Sequence, residues 1–327
     1  MNGTMYTGPT VAVVVPVYNC ARYIEDALRS IEAQTRAPEK VVVVDDGSTD
    51  ETSDVLTRFA ARSDLPLVIL GQQNRGAATA RNAGVACCHE DLVAFLDGDD
   101  TFYPCFLERA VDALVCHPEL LAWFSDRDVV DAGGKFLRRD LDHPGFRAIR
   151  SERLSDGVSV FMEDPFVGLL PGSVIPMSVV VRLSAIREIC GFDETMRVAE
   201  DKLFLMRLAK LGKFGFSDEP LGTWRRHDRN ASGSTQAFRM AFYDDLALEK
   251  LEQDSVRLKL TTDELRALTV QRRKNSTNLL YTASNEAHSD FFRIALTLVR
   301  EGRAPGLALS KACLRYGWRL LTRGRSS

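Results

Sequence analysis

Asp91-Leu92-Val93-Ala94-Phe95-Leu96-Asp97-Gly98-Asp99-Asp100 is a short apolar run that ends in clustered carboxylates. A run of this length bounded by charge reads as a buried strand rather than a helix. Its C-terminal end is where an open α/β sheet places its ligand crevice. Side chains alternate along an extended segment, so Asp97 and Asp99 project to the same side. Clustered hard oxygen ligands suit Mg²⁺ or Mn²⁺ carrying a diphosphate. Taken alone, Asp-x-Asp reads more readily as a solvated acidic turn. The rest of the chain reverses that.

Upstream, Val11-Ala12-Val13-Val14-Val15-Pro16-Val17 is apolar throughout, as expected of a strand covered on both faces. Arg22 to Gln34 carries Ile24, Ala27, Leu28 and Ile31 at helical spacing. Val41 to Val44 is a second buried strand, followed by Asp45-Asp46-Gly47-Ser48. Ser48 or Thr49 is placed to cap a helix starting near Asp50. Leu67 to Leu70 is a third strand, and the loop Asn74-Arg75-Gly76 leads into an Ala-rich helix ending near Ala86. Strand alternating with helix predicts an α/β fold with a mainly parallel, Rossmann-like sheet.

From Leu120 the rhythm loosens. Asp131-Ala132-Gly133-Gly134-Lys135 reads as a hairpin turn, Phe161 to Val181 as strand plus loop, and Glu200 to Leu211 as helix. Beyond Thr235 the pattern is helical, which predicts a catalytic domain over 1–235 and a C-terminal helical extension over 236–327. The uncharged stretch Pro165 to Val181 contains three prolines and falls short of the about 20 apolar residues that a spanning helix needs.

Length and charge narrow the class. A chain of 327 residues accommodates one large α/β domain plus an appendage. A formal net charge of -3 gives no reason to expect nucleic acid as partner. Seven cysteines without C-x-x-C spacing argue a reducing compartment. Met1 to Thr10 lacks the basic and apolar regions of a signal peptide. The expectation is a cytoplasmic protein, soluble or peripheral at the inner face of the membrane.

The motifs add up. Val13-Val14-Val15-Pro16-Val17-Tyr18-Asn19, Val44-Asp45-Asp46-Gly47-Ser48-Thr49-Asp50, Asn74-Arg75-Gly76 through Ala80-Arg81-Asn82-Ala83-Gly84, Phe95-Leu96-Asp97-Gly98-Asp99-Asp100, and Gly191-Phe192-Asp193-Glu194 before Glu200-Asp201 follow one another in the chain. In that order they resemble a family 2 glycosyltransferase over roughly residues 11–230. The resemblance implies a GT-A fold, a nucleotide-sugar donor (a UDP-sugar), Mg²⁺ or Mn²⁺, and inversion at the anomeric carbon. The acceptor would be a carbohydrate, a lipid-linked glycan or a glycoprotein hydroxyl.

Each motif residue also has a physical task. Pro16, Val17, Tyr18 and Asn19 would wall a nucleoside pocket, or simply end a strand. By resemblance Asp46 accepts the N3–H of uracil, with Asp45 as adjacent support; the alternative for such residues is an Asx turn or helix cap. Arg75 and Arg81 would meet a phosphate or a base. Arg81 is equally suited to a salt bridge with the acidic motif. Asp99 is first choice as metal ligand and Asp97, with Gly98 between them, second; Asp100 could cap a helix beginning near Tyr103. By resemblance Asp201 is the base that deprotonates the acceptor. Trp224-Arg225-Arg226-His227 with Ser232 resembles the family's late basic motif, placing Arg226 near the diphosphate and His227 as metal or phosphate ligand, unless His227 is a surface residue.

Lys311, Arg315, Arg319 and Arg323 fall at i+4 intervals, with Leu307, Leu314, Trp318 and Leu321 on another face. That pattern fits a helix on an anionic membrane or one packed on the catalytic domain. Membrane binding would suit a lipid-linked acceptor. A processive polysaccharide synthase lacks support, because no Q-x-x-R-W motif is present. A nucleotidyltransferase would open on a Gly-rich phosphate loop. A non-catalytic nucleotide-sugar-binding or scaffold protein is opposed by the joint presence of Asp97, Asp99 and Asp201.

Overall fold

The computed structural model describes residues 8–172, 175–227, 237–286, 288–304 and 306–323. Among the described residues eleven strands form one sheet: β1 Val11–Val17, β2 Lys40–Asp45, β3 Leu67–Gly71, β4 Leu92–Phe95, β5 Thr101–Phe102, β6 Leu120–Asp131, β7 Phe136–Arg139, β8 Ser151–Arg153, β9 Ser159–Phe161, β10 Val179–Arg182 and β11 Lys213–Arg226. Its main path runs β3-β2-β1-β4-β10-β6-β11-β9-β8. The four strands read from the sequence are the parallel set β3-β2-β1-β4; β10 then enters antiparallel between β4 and β6. Eight helices accompany the sheet: α1 Ile24–Glu32, α2 Thr52–Ala60, α3 Ala77–Ala86, α4 Phe106–Cys116, α5 Pro144–Arg147, α6 Phe166–Leu169, α7 Leu183–Glu188 and α8 Glu200–Ala209.

Alternation along β1 feeds two cores. Val11, Val13, Val15 and Val17 share one cluster with Ile24, Leu28 and Ile31 of α1, Leu56 and Phe59 of α2, and Phe106 and Leu107 of α4. On the other face α3 comes close enough that a Cβ on Gly84 would lie 2.4 Å from Val14 Cγ1. Further along that layer the rings of Phe192 and Phe204 stack at 3.9 Å, and Phe95 of β4 meets both edge-on. β3 is the sheet edge, which leaves Val68 and Ile69 partly exposed. The turn at Asp131–Lys135 joins β6 to antiparallel β7, as its glycines predict.

A second compact unit holds 170–172 and the chain after His227. The boundary expected at 235/236 lies outside the described residues, as does Ser232. This unit contains α9 Ala237–Gln253, α10 Thr262–Asn285, α11 Phe291–Arg300 and α12 Gly306–Arg323, all helical as expected. A reciprocal capping box starts α10: the Glu264 amide donates to Thr261 Oγ1 at 3.3 Å and the Thr261 amide to Glu264 Oε2 at 2.7 Å. Leu279, Leu280, Phe291, Leu298 and Tyr316 form its core. No helix among the described residues is long and apolar enough to cross a membrane.

The contact at Gly84 yields a stability prediction. Gly84→Ala forces a methyl into Val14 and should cost about 1–3 kcal/mol. Combining it with Val14→Ala should cost less than the sum of the two single changes, since the smaller residue makes room. Urea midpoints at unchanged slope read this directly; strict additivity would contradict the packing.

Candidate active site

The motifs gather at the C-terminal ends of β1, β2 and β4, beside the point where strand order reverses. Pro16 and Val17 are buried in β1 opposite Val44 and Asp45, so of the four expected wall residues Tyr18 offers the open side chain. Asn19 adopts a left-handed φ of 53° and braces two loops. Its amide donates to Ser48 Oγ at 2.9 Å, and its Oδ1 accepts the Thr49 amide at 2.7 Å.

Asp46 directly follows β2. It is 3 % exposed and accepts Gln72 Nε2 at 2.7 Å and the amides of Arg75 and Gly76 at 2.8 and 2.7 Å. Its carboxylate thereby gathers the 72–76 loop, with one donor on Oδ2 and two on Oδ1. Neighbouring Asp45 is only partly buried, and its Oδ1 accepts the Ser48 amide at 2.9 Å. Neither Ser48 nor Thr49 caps α2: its N-cap residue is Glu51, without a side-chain cap bond, and Asp50 just before it accepts the Thr52 amide at 3.0 Å.

In the acidic motif, a Cβ on Gly98 would meet Val17 Cγ1 at 2.6 Å, so the loop passes too close to β1 for any side chain there. Asp99 Oδ2 lies 2.9 Å from His227 Nε2. Tyr23 holds that imidazole in place: the two rings stack at 5.0 Å, with the Arg225 guanidinium 4.9 Å from the Tyr23 ring. Asp100 does not cap α4, which starts at Phe106. It is buried, accepts the Arg225 amide at 2.9 Å and pairs with Arg127 at 3.4 Å. Burial and the Asp99 charge raise its pKa, against the pull of Arg127. Arg226 is exposed, its guanidinium 5.8 Å from the Trp224 ring. Cys20 is nearby but is no nucleophile, because burial and then Asp99 push its thiol up to about 12.

Arg81 resolves the alternatives left open for it. It is 4 % exposed and donates to Asp97 at 2.6 Å and to Glu200 at 2.8 Å, with its guanidinium 5.4 Å from the Phe192 ring. It is a salt bridge to the acidic motif. Glu200 is buried, and burial raises its pKa although Arg81 opposes the shift. Asp201 follows, partly exposed in the first turn of α8, with Oδ1 accepting the Lys202 amide at 2.7 Å. The residue before the pair, Ala199, has φ 59°, a left-handed conformation that costs a non-glycine residue energy and is common at functional sites. Gly191 has φ 71°, and a Cβ there would strike Asn82 Oδ1 at 2.6 Å. Asn82 instead grips Phe192 through its amide (2.9 Å) and carbonyl (2.9 Å), while Glu194 accepts Asn82 and Arg75 at 3.1 and 3.0 Å. Thus Arg75 is exposed at the rim, bonded to the motif that precedes α8.

Sequence reasoning missed Tyr23 and Arg127, whose partners are distant in the chain, and gave Glu200 no role apart from Asp201.

Residues 12–164 match the family described as glycosyl transferase family 2. Over that stretch, just under half of its length, the chain is similar to family 2 glycosyltransferases. An uncharacterized glycosyltransferase of Nostoc sp. is 28% identical over 222 residues, 67% of this chain and 66% of the relative. The putative teichuronic acid biosynthesis glycosyltransferase TuaG of Bacillus subtilis is 36% identical over 107 residues, 33% of this chain and 42% of TuaG. The chain therefore spans between two fifths and two thirds of these two relatives. Among solved structures, S. aureus TarS 1–349 with UDP superposes at TM-score 0.53 and 17% identity, covering 90% of this chain and 92% of that one. The Pyrobaculum calidifontis mannosyltransferase PcManGT with GDP-Man and Mn²⁺ does so at 0.58 and 19%, covering 96% and 88%. The fold is GT-A, a mainly parallel mixed sheet with C-terminal helices.

The Arg81 bridge can be tested by stability. Arg81→Met leaves Glu200 buried without its cation and should cost about 3–5 kcal/mol. Adding Glu200→Gln removes the stranded charge and should recover part of the loss. Equal stability of the single and double variants in urea would contradict a buried ion pair.

Proposed function

We propose that the protein is an inverting, metal-dependent glycosyltransferase that moves a sugar from a nucleotide-sugar, a UDP-sugar, to an acceptor hydroxyl. One observation carries this reading: Arg81 joins Asp97 of the acidic motif to Glu200, next to Asp201, at the sheet's crevice.

Asp99 and His227 would hold the divalent cation, since a carboxylate oxygen and an imidazole nitrogen converge there. Among the described residues no group of three or more His, Cys, Asp or Glu could hold a metal alone. A two-donor protein set fits an ion whose remaining ligands are diphosphate oxygens and water. When bound, the cation neutralises charge on the departing nucleoside diphosphate. Arg226, exposed beside His227, would face the same phosphates. For the base, Tyr18 offers a ring surface, and Asp46, at the end of β2 with one donor on Oδ2, would accept the N3–H of uracil with Asp45 beside it. UDP in TarS and GDP-Man in PcManGT both support a nucleoside-diphosphate donor.

Asp201 would act as general base, taking the acceptor proton as its oxygen attacks the anomeric carbon in one displacement. Glu200 and Arg81 fix the start of α8 and so orient Asp201. The name of TuaG favours a cell-surface polymer as acceptor.

Two variants separate these roles. Asp201→Asn cannot accept a proton and should lower kcat roughly 10²–10⁴-fold while UDP affinity stays near wild type. Asp99→Asn should lower turnover sharply and abolish the Mn²⁺ dependence of UDP binding. Wild-type kcat in Asp201→Asn, or full activity in excess EDTA, would overturn the assignment.

A further inference from the structure

The last two helices are apolar on two sides. On α11, Phe291, Ile294, Ala295 and Leu298 pack into the core of the second unit, and on α12 Ala312 and Tyr316 do so. That accounts for one face of each. A second row points away from the core: Phe292, Leu296 and Val299 on α11 are 65, 51 and 49 % exposed, and Leu307, Leu314 and Trp318 on α12 are 70, 77 and 59 % exposed. At 100° per residue, positions 307, 314 and 318 fall within about 40° of one another, so they form a line rather than a scatter. On α11, Phe292 also meets the core-facing Tyr316 of α12 at 5.2 Å, so the fully open row is the one on α12. Isolated exposed leucines need no explanation; contiguous rows do.

The charge around the rows is one-sided. Neither 291–300 nor 306–323 contains an aspartate or glutamate, although acids outnumber bases 45 to 42 in the whole chain. Lys311 is exposed between Leu307 and Leu314, and Arg300 is exposed at the end of α11. Arg315 and Arg319 flank the row and are steadied from α10. Arg315 lies 4.3 Å from the Tyr281 ring and donates to Ser284 Oγ at 3.2 Å, and Arg319 donates to Asn285 Oδ1 at 2.9 Å. The side chains of Leu321 and Arg323 lie outside the described residues.

We propose that α12 docks the protein on an anionic membrane surface, lying in the interface with its Leu307, Leu314 and Trp318 row toward lipid. Tryptophan, phenylalanine and leucine beside lysine and arginine, without acid, is the composition of an interfacial helix. A lysine in the middle of the row is tolerated by lipid, because its stem lies on apolar surface while its charge reaches the headgroups. A second copy fits worse. A two-fold interface places the same patch on both sides, so this face would set its cations against their own images. Neither helix qualifies as a membrane span, so the contact is peripheral.

The test uses the full chain and vesicles of phosphatidylcholine alone or mixed with phosphatidylglycerol. Co-sedimentation should occur with the mixed vesicles only, weaken with salt, and shift Trp318 emission to the blue. Leu314→Ser/Trp318→Ser should sediment about tenfold or more weakly, with unchanged circular dichroism because both side chains are exposed. Three outcomes would overturn the proposal: no wild-type binding to anionic vesicles, equal binding by the variant, or a wild-type dimer that the variant converts to monomer. None of these readouts involves sugar transfer, so docking and the proposed reaction can fail independently.

Discussion

A single buried guanidinium holds the site together. Arg81 lies between Asp97, from the loop after β4, and Glu200, from the start of α8. Without it, Asp97 and Glu200 would lose the cation that both of them share. Burial alone disfavours charge on Arg81, and the two carboxylates outweigh that. The pairing is therefore a positional device: one cation sets where the acidic loop and the α8 carboxylates stand relative to each other. Phe192, against that guanidinium, belongs to the motif that Asn82 clamps, so the same contact fixes the approach to α8.

A second brace works from the opposite side. His227 reaches Asp99 because Tyr23 stacks on its ring, and Arg225 satisfies Asp100 through its backbone while its side chain covers Tyr23. The far end of β11 is thus tied to the beginning of α1 and the loop after β4. Two carboxylates of one motif are divided by this arrangement: Asp99 is directed toward the crevice, and Asp100 is consumed by structure.

Much of this was legible in the sequence, for physical reasons. β1, β2 and β4 are covered on both faces, so their composition alone marks them. α1 shows because one face of a surface helix must be apolar, and Ile24, Ala27, Leu28 and Ile31 are all buried. The structural load on Asp46 was not legible. Its three donors come from the 72–76 loop, some 26 to 30 residues away, and only the folded sheet brings that loop to it. Arg127 and Tyr23 were invisible for the same reason: Asp100 is 27 residues from Arg127, and Tyr23 acts through His227, both pairings that only the assembled sheet creates. The strain at Ala199 left no trace, since alanine is an ordinary residue in a helical pattern.

One displacement at the anomeric carbon, driven by Asp201, is the central step proposed for this crevice. The anomeric configuration of the product, read by proton NMR on material made from an α-linked UDP-sugar, tests it most directly. A β-linked product is the predicted result, because a single attack from the opposite face inverts the centre. An α-linked product would require retention, and would contradict the role given to Asp201.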